Sequence, residues 1–234
     1  MDTSYWVDRS QSIKTGITKK QYFGRYLWRL VYNIRRINVI NDKRVTDIRA
    51  YVIQEQEYER NAAQVRYIRY SSRWEHVDIT LLERVRVVTV AHKNLIKTRT
   101  ETDNLQIYAE DEQTLKDIAA QIDYDQGLEM ISGPKPGTET LLTGDAIFMN
   151  NMPYKFKVIL RDGSYSPAIK KSVLAQLESH EDVKIPNSLS YLLRKNYAAL
   201  WGGYFYCNDD SITTFLSLIS PGIVGKIHPV ISDL

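Results

Sequence analysis

The sequence predicts an α+β fold of two tandem, divergently duplicated β-α-β-α-β modules, ferredoxin-like in type, with mixed sheets. Three observations predict it. Residues 22–34 and 153–160 each alternate with a period of two and are rich in aromatic and β-branched residues, as half-buried strands are. Each is followed by helical material and then by an aromatic strand, an acidic cap and an amphipathic helix. That unit reads LQIYAEDEQTLKDIAAQI in the first half and GYFYCNDDSITTFLSLIS in the second. Each half then closes on a short strand, LEMIS or IVGKI. The halves match in the order of their patterns, not in their letters.

Residues 1–20 carry no apolar periodicity and read as a polar N-terminal arm. A basic α+β module is expected over 21–132. Its opening strand places Tyr26, Trp28, Leu30 and Tyr32 on one face, the expected core face, and Arg25 and Arg29 on the other. Asn41-Asp42 marks a turn, and residues 43–60 read as a helix with Val45, Ile48 and Val52 on one stripe. VRYIRY, residues 65–70, has the composition of a fourth strand. DITLLERVRVVTVA, residues 78–91, begins on a capping Asp78 but turns β-branched, which leaves helix and strand both open. Lys97–Tyr108 reads as a hairpin turning at Asp103-Asn104, and Glu110, Asp111 and Glu112 sit where acids favour a helix N-terminus.

Residues 133–152 form a Pro/Gly linker: SGPKPGTET holds two prolines, and none precedes Pro134. The second module spans 153–234. PYKFKVIL is its first strand, with Lys155 and Lys157 on one face. Pro167 suits the first turn of a helix that runs to about Ser179. NSLSYLLRKNYAAL is a second helix, stopped by Gly202-Gly203, and YFYC, SITTFLSLIS and IVGKI complete the unit.

Charge is lopsided along the chain. Residues 1–100 hold 20 Lys+Arg against 10 Asp+Glu, and residues 101–234 hold 11 against 18. Fourteen of the 16 arginines precede residue 101. That asymmetry points to a polyanionic partner for the basic part, or to docking between oppositely charged halves or subunits; the plain alternative is that the opposite charges meet across an internal interface. Basic residues interleaved with rings favour the first reading, because arginine pairs with phosphate and exposed rings stack on bases. The candidate nucleic-acid-binding residues are Arg25, Arg29, Arg66, Tyr67, Arg69, Tyr70, Lys155 and Lys157. The expected function is a non-enzymatic accessory protein that binds RNA or single-stranded DNA. The alternative is a virion or complex assembly subunit using its charge-complementary halves. A remote third is a metal-dependent nuclease.

Catalytic chemistry has little support. Asp209-Asp210 after YFYCN resembles the paired-acid turn of polymerase palm domains, and ALWGGYFYCNDDS faintly resembles the helix motif of LAGLIDADG endonucleases. The first lacks its third carboxylate, fingers and thumb. In the second, two glycines and a strand intervene before the acids. Helix capping explains the acids at both 110–112 and 209–210. Four scattered histidines, one cysteine, no P-loop and no G-x-G-x-x-G predict no metal, no cofactor and no catalytic residue. No apolar run is long enough to span a bilayer, and the N-terminal stretch lacks the apolar segment of a signal peptide, so no membrane partner is expected. The Tyr-rich, Asn/Asp-punctuated texture resembles bacteriophage proteins in general. The single Cys207 fits a reducing, cytoplasmic setting, the host cytoplasm or a virion if the chain is viral, and self-association or a protein partner is a further expectation.

Overall fold

A computed structural model of the chain describes residues 1–66 and 74–232. Two compact units divide it, Met1–Glu139 and Thr140–Leu234. The fold is α+β: two mixed five-stranded sheets and, among the described residues, eight α-helices.

In the first unit α1 (Thr3–Arg9) and β1 (Lys14–Ile17) precede β2 (Trp28–Asn33). A 3-10 turn over Ile37–Asn41 leads into α2 (Ile48–Arg66) and α3 (Ile79–Ala91). The hairpin β3 (Ile96–Glu101) and β4 (Asn104–Ala109), α4 (Glu112–Ile122) and β5 (Leu128–Gly133) follow. The second unit runs α5 (Glu139–Thr143), β6 (Ile147–Phe148), β7 (Phe156–Leu160), α6 (Pro167–Glu178), β8 (Val183–Lys184), α7 (Asn187–Arg194), β9 (Tyr204–Cys207), α8 (Ile212–Ile219) and β10 (Val224–Ile231).

The two sheets have one topology. Their orders are β1-β5-β2-β4-β3 and β6-β10-β7-β9-β8. In each, the first pair is parallel and the other three are antiparallel. The four antiparallel strands with their crossover helices form the ferredoxin-like part, and one parallel edge strand is added to each. Even the irregularities agree. Glu129 bulges from β5 between the partners of Tyr32 and Val31, and Gly225 bulges from β10 between the partners of Leu160 and Ile159. A bulge shifts every later residue against its neighbour. Sharing it keeps Arg29 opposite Ser132 in one unit and Lys157 opposite His228 in the other.

One face of each sheet is core. Leu30, Tyr32, Leu105 and Ile107 are buried under α4, whose Leu115, Ile118, Ala119 and Ile122 form a fully buried stripe, and Ile131 of β5 is buried as well. In the second unit Val158, Leu160, Phe205 and Cys207 pack with Val173, Leu177, Leu189 and Leu216 of α6, α7 and α8. Side chains such as these contribute roughly 1.5–3 kcal/mol each on burial. The core face expected for Tyr26, Trp28, Leu30 and Tyr32 is the buried one.

Several expectations are revised. The stretch read as a polar arm holds α1 and β1. Trp6 is fully buried there and donates from its indole N–H to Glu112, while Arg9 pairs with Asp125, so the segment is fixed by single anchors rather than by periodicity. The stretch read as a linker holds the end of β5, α5 and β6, with Leu142, Ile147 and Phe148 buried. The 78–91 ambiguity resolves to helix: the Asp78 carboxylate accepts from the Leu81 N–H at 2.9 Å, and Val85 and Val88 are buried. Positions 65 and 66 of the proposed VRYIRY strand end α2, and the rest lies outside the described residues. Nor is the first unit basic as a whole. It holds 22 Lys+Arg against 20 Asp+Glu, because the acids of 101–139 fold with the arginines of 1–100. Ion pairs between the two parts include Arg9–Asp125, Arg25–Glu110 and Lys116–Asp2.

Candidate nucleic-acid interface

Arg25 and Arg29 do not share a strand face. β2 begins only at Trp28. Upstream, Phe23 and Gly24 adopt φ of 54° and 69°, and the chain closes a tight loop between Tyr22 and Tyr26. Such angles cannot continue an extended strand. Arg25 therefore leaves the sheet and pairs with Glu110 while lying over the Tyr26 ring, both partners about half exposed. Thr18 pins this loop at its base, its hydroxyl donating to the Leu27 carbonyl at 2.7 Å.

Arg29 is on the open face of the first sheet. Its Nη2 donates to Met130 Sδ at 3.1 Å and to Ser132 Oγ at 3.4 Å, and the Tyr22 ring lies 5.4 Å from its guanidinium carbon. No carboxylate among the described residues pairs with it, and its Nε is buried without an acceptor. Directly opposite Arg29 on β4 is Tyr108, and opposite Tyr108 on β3 is Lys97. A row of cation, tyrosine, cation thus crosses three strands.

The second sheet carries the same row. Lys157 on β7 faces Tyr206 on β9, which faces Lys184 on β8. The Lys157 ammonium lies 4.1 Å from the Tyr204 ring centroid and 5.9 Å from that of Tyr206. Lys155 precedes β7 and is exposed; its backbone N–H donates to Asn208 Oδ1. Arg66 is the last residue of α2; its side chain, together with Tyr67, Arg69 and Tyr70, lies outside the described residues.

The central tyrosines are not bare platforms. Tyr108 is 4% exposed beneath Tyr22 and Phe23, whose ring centroids lie 5.1 and 4.9 Å away. Tyr206 is 6% exposed, stacked by Tyr154 at 6.2 Å and edged by Tyr204 at 5.5 Å. The rings that meet solvent are the covering ones, with Phe23 53% exposed and carrying the Lys97 ammonium 4.5 Å from its centroid. Alternation of amphipathic cation and ring is favourable in itself and leaves the charged heads in water.

Sequence reading missed Lys97, Tyr108, Lys184 and Tyr206. The signal was present: each tyrosine stands three residues before the aspartate that turns the chain toward the next helix, Asp111 or Asp209. Asp111 accepts from the Thr114 N–H at 2.7 Å. Asp209 accepts from the Ser211 N–H at 2.9 Å and its hydroxyl at 2.7 Å, which holds its carboxyl below the usual range. Both acids are thus engaged by the backbone they turn. Among the described residues no three His, Cys, Asp or Glu side chains converge as metal ligands. No described helix is long and apolar enough to cross a membrane. Comparison with family models, curated proteins and solved structures finds no match to this chain.

Proposed function

We propose that the chain is a non-enzymatic accessory protein that binds single-stranded nucleic acid, RNA or DNA, on the open faces of its two sheets. The observation that carries this reading is the repeated row, Lys97–Tyr108–Arg29 and Lys157–Tyr206–Lys184, at one register in two units of one topology. Core positions recur for packing reasons alone. Recurrence on the face turned away from the core has no such cause, and it favours a shared ligand and descent of both units from one duplicated module. Flexible strands suit the arrangement. Cations on either side of a ring cluster meet successive phosphates, and Phe23, Tyr22, Tyr154 and Tyr204 offer edges and faces to bases.

Fluorescence anisotropy with labelled single-stranded RNA and DNA tests this. Affinity is expected to fall steeply between about 50 and about 200 mM salt, as counterion release requires. Absence of binding at the low end refutes it. RNA and DNA arms separate recognition of the 2′-hydroxyl from backbone charge alone.

A second reading, an assembly subunit of a phage virion or similar complex, draws on exposed Tyr197 and Trp201 and on Phe215 and Leu218 of α8. Docking through oppositely charged halves no longer supports it, since the two charge blocks pair within the first unit. A monomeric mass by size exclusion with light scattering at low and high salt removes this alternative.

A further inference from the structure

We infer that the open face of the first sheet holds one nucleotide in a defined recess beside Arg29, phosphate on the cations and nucleoside on the floor; this rests on the nucleic-acid reading. The recess has a volume of about 510 Å³, within the range of small-molecule sites. Arg29 and Lys14 supply its positive charge, and Gln106 and Gln126 its amides. Val31 and Met130 form an apolar floor, and Glu129 is the acid on its wall.

Arg29 carries the argument. A guanidinium has five N–H donors. Here its protein acceptors are a thioether and a hydroxyl, both neutral, both reached from Nη2. Partial burial removes water from the cation without an anion to replace it, as the unpartnered Nε records. An oxyanion entering the recess answers the unmatched positive charge through the guanidinium nitrogens that line it, the sealed Nε excepted, with charge-assisted bonds. The neighbours keep the guanidinium in place. Tyr22 covers it from the loop side. Ser132 holds Nη2 from β5, and only a glycine at 16 leaves room for that hydroxyl, since a Cβ there would lie 2.8 Å from Ser132 Oγ.

The rest of the recess suits the nucleoside. Gln106 Oε1 accepts from the Tyr108 hydroxyl, which leaves its amide N–H₂ as a donor. Glu129 accepts from Asn33 Nδ2 at 3.1 Å and keeps acceptor capacity for a ribose hydroxyl or a base amine. The bulge at Glu129 sets Met130 opposite Val31 on the open face while Leu128, two residues earlier, stays opposite Tyr32. The second unit lacks the equivalent, with Gly225 at the bulge and His228 in place of Ser132. The nucleotide pocket is therefore assigned to the first unit.

Isothermal titration calorimetry of the full chain with 5′-AMP, inorganic phosphate and adenosine tests this. The expected result is 5′-AMP binding, competition by inorganic phosphate, and adenosine weaker by at least about tenfold. Arg29→Gln and, at the exposed rim, Lys14→Gln each weaken 5′-AMP by about tenfold or more, while Lys171→Gln, exposed on α6 of the second unit and outside both rows, leaves it unchanged. Circular dichroism confirms that the variants fold, and Lys14→Gln stands in if Arg29→Gln does not. Equal affinity for 5′-AMP and adenosine, or undiminished 5′-AMP binding by the Arg29 and Lys14 variants, overturns the inference. Oligonucleotide binding without 5′-AMP binding overturns the recess but not the broader reading. Phosphate-dependent 5′-AMP binding without oligonucleotide binding does the reverse.

Discussion

Arg29 stands directly opposite Tyr108 in the β2–β4 ladder, and the same two strands of the second unit set Lys157 opposite Tyr206. Both pairs lie on the face turned from the core. Both are reached through one strand order and one bulge position. The register, rather than any single side chain, is what the two units share on this face.

Cys207 is the core-facing neighbour of Tyr206 and is 1% exposed. Burial pushes its thiol up to about 11, with Asp210 and Asp209 adding to the rise. A protonated, enclosed thiol is a poor nucleophile. Native protein is expected to resist 5,5′-dithiobis(2-nitrobenzoate) at pH 8 and to react fully in denaturant. Rapid native labelling would mean that β9 opens.

Lys170 is only 2% exposed, yet no carboxylate pairs with it among the described residues. Its ammonium donates to the Lys195 carbonyl at 2.8 Å and to that of Ala198, tying down the chain after α7. Lys170→Met keeps most of the volume and strands both acceptors. A loss of about 1–3 kcal/mol in urea unfolding is expected. No loss would show that the loop 195–200 is held by other contacts.

Tyr32 presents the opposite case. It is fully buried, its hydroxyl has no partner, and burial raises its ionisation well above the ordinary range. A lone buried hydroxyl costs free energy. Tyr32→Phe is expected to leave stability equal or up to about 1 kcal/mol higher, measured by denaturant midpoint. A clear loss would reveal an acceptor for that hydroxyl.

The docking of α1 depends on pH. Hydrogen bonds from Lys116 and Ser4 hold the Asp2 carboxyl at about 2, below its ordinary 3.8. A depressed carboxylate stabilises the fold above its unfolded value and loses that contribution as protons bind. Wild type should therefore melt above Asp2→Asn at neutral pH, and the gap should close between about pH 4 and about pH 2. A gap that is independent of pH contradicts this.

Much of this was legible in the sequence, for physical reasons. Alternation in RYLWRLVYNI and PYKFKVIL and the capping Asp111 before α4 are local signals, and they mark β2, β7 and α4 correctly, whereas the β-branched half of 78–91 left α3 open between helix and strand. β1 is four largely exposed residues whose partner, β5, lies more than a hundred positions away, so nothing local announces it. Arg25 was misplaced because left-handed angles at Phe23 and Gly24 end the strand pattern without ending the alternation. Of the readings the charge blocks left open, pairing within the chain is the one seen in the first unit, where ladders and ion pairs such as Arg9–Asp125 bring distant segments together. For the same reason the cation–tyrosine–cation rows emerge only from the register, three strands at a time.

The most direct measurement compares oligonucleotide binding by the parent with that of Arg29→Gln/Lys97→Gln and of Lys157→Gln/Lys184→Gln. If the two rows hold phosphates, each pair of substitutions weakens a single-stranded oligonucleotide by at least about tenfold and lowers the salt slope by about 1 to 2. Unchanged affinity and slope in both double variants, with folding intact, would contradict it.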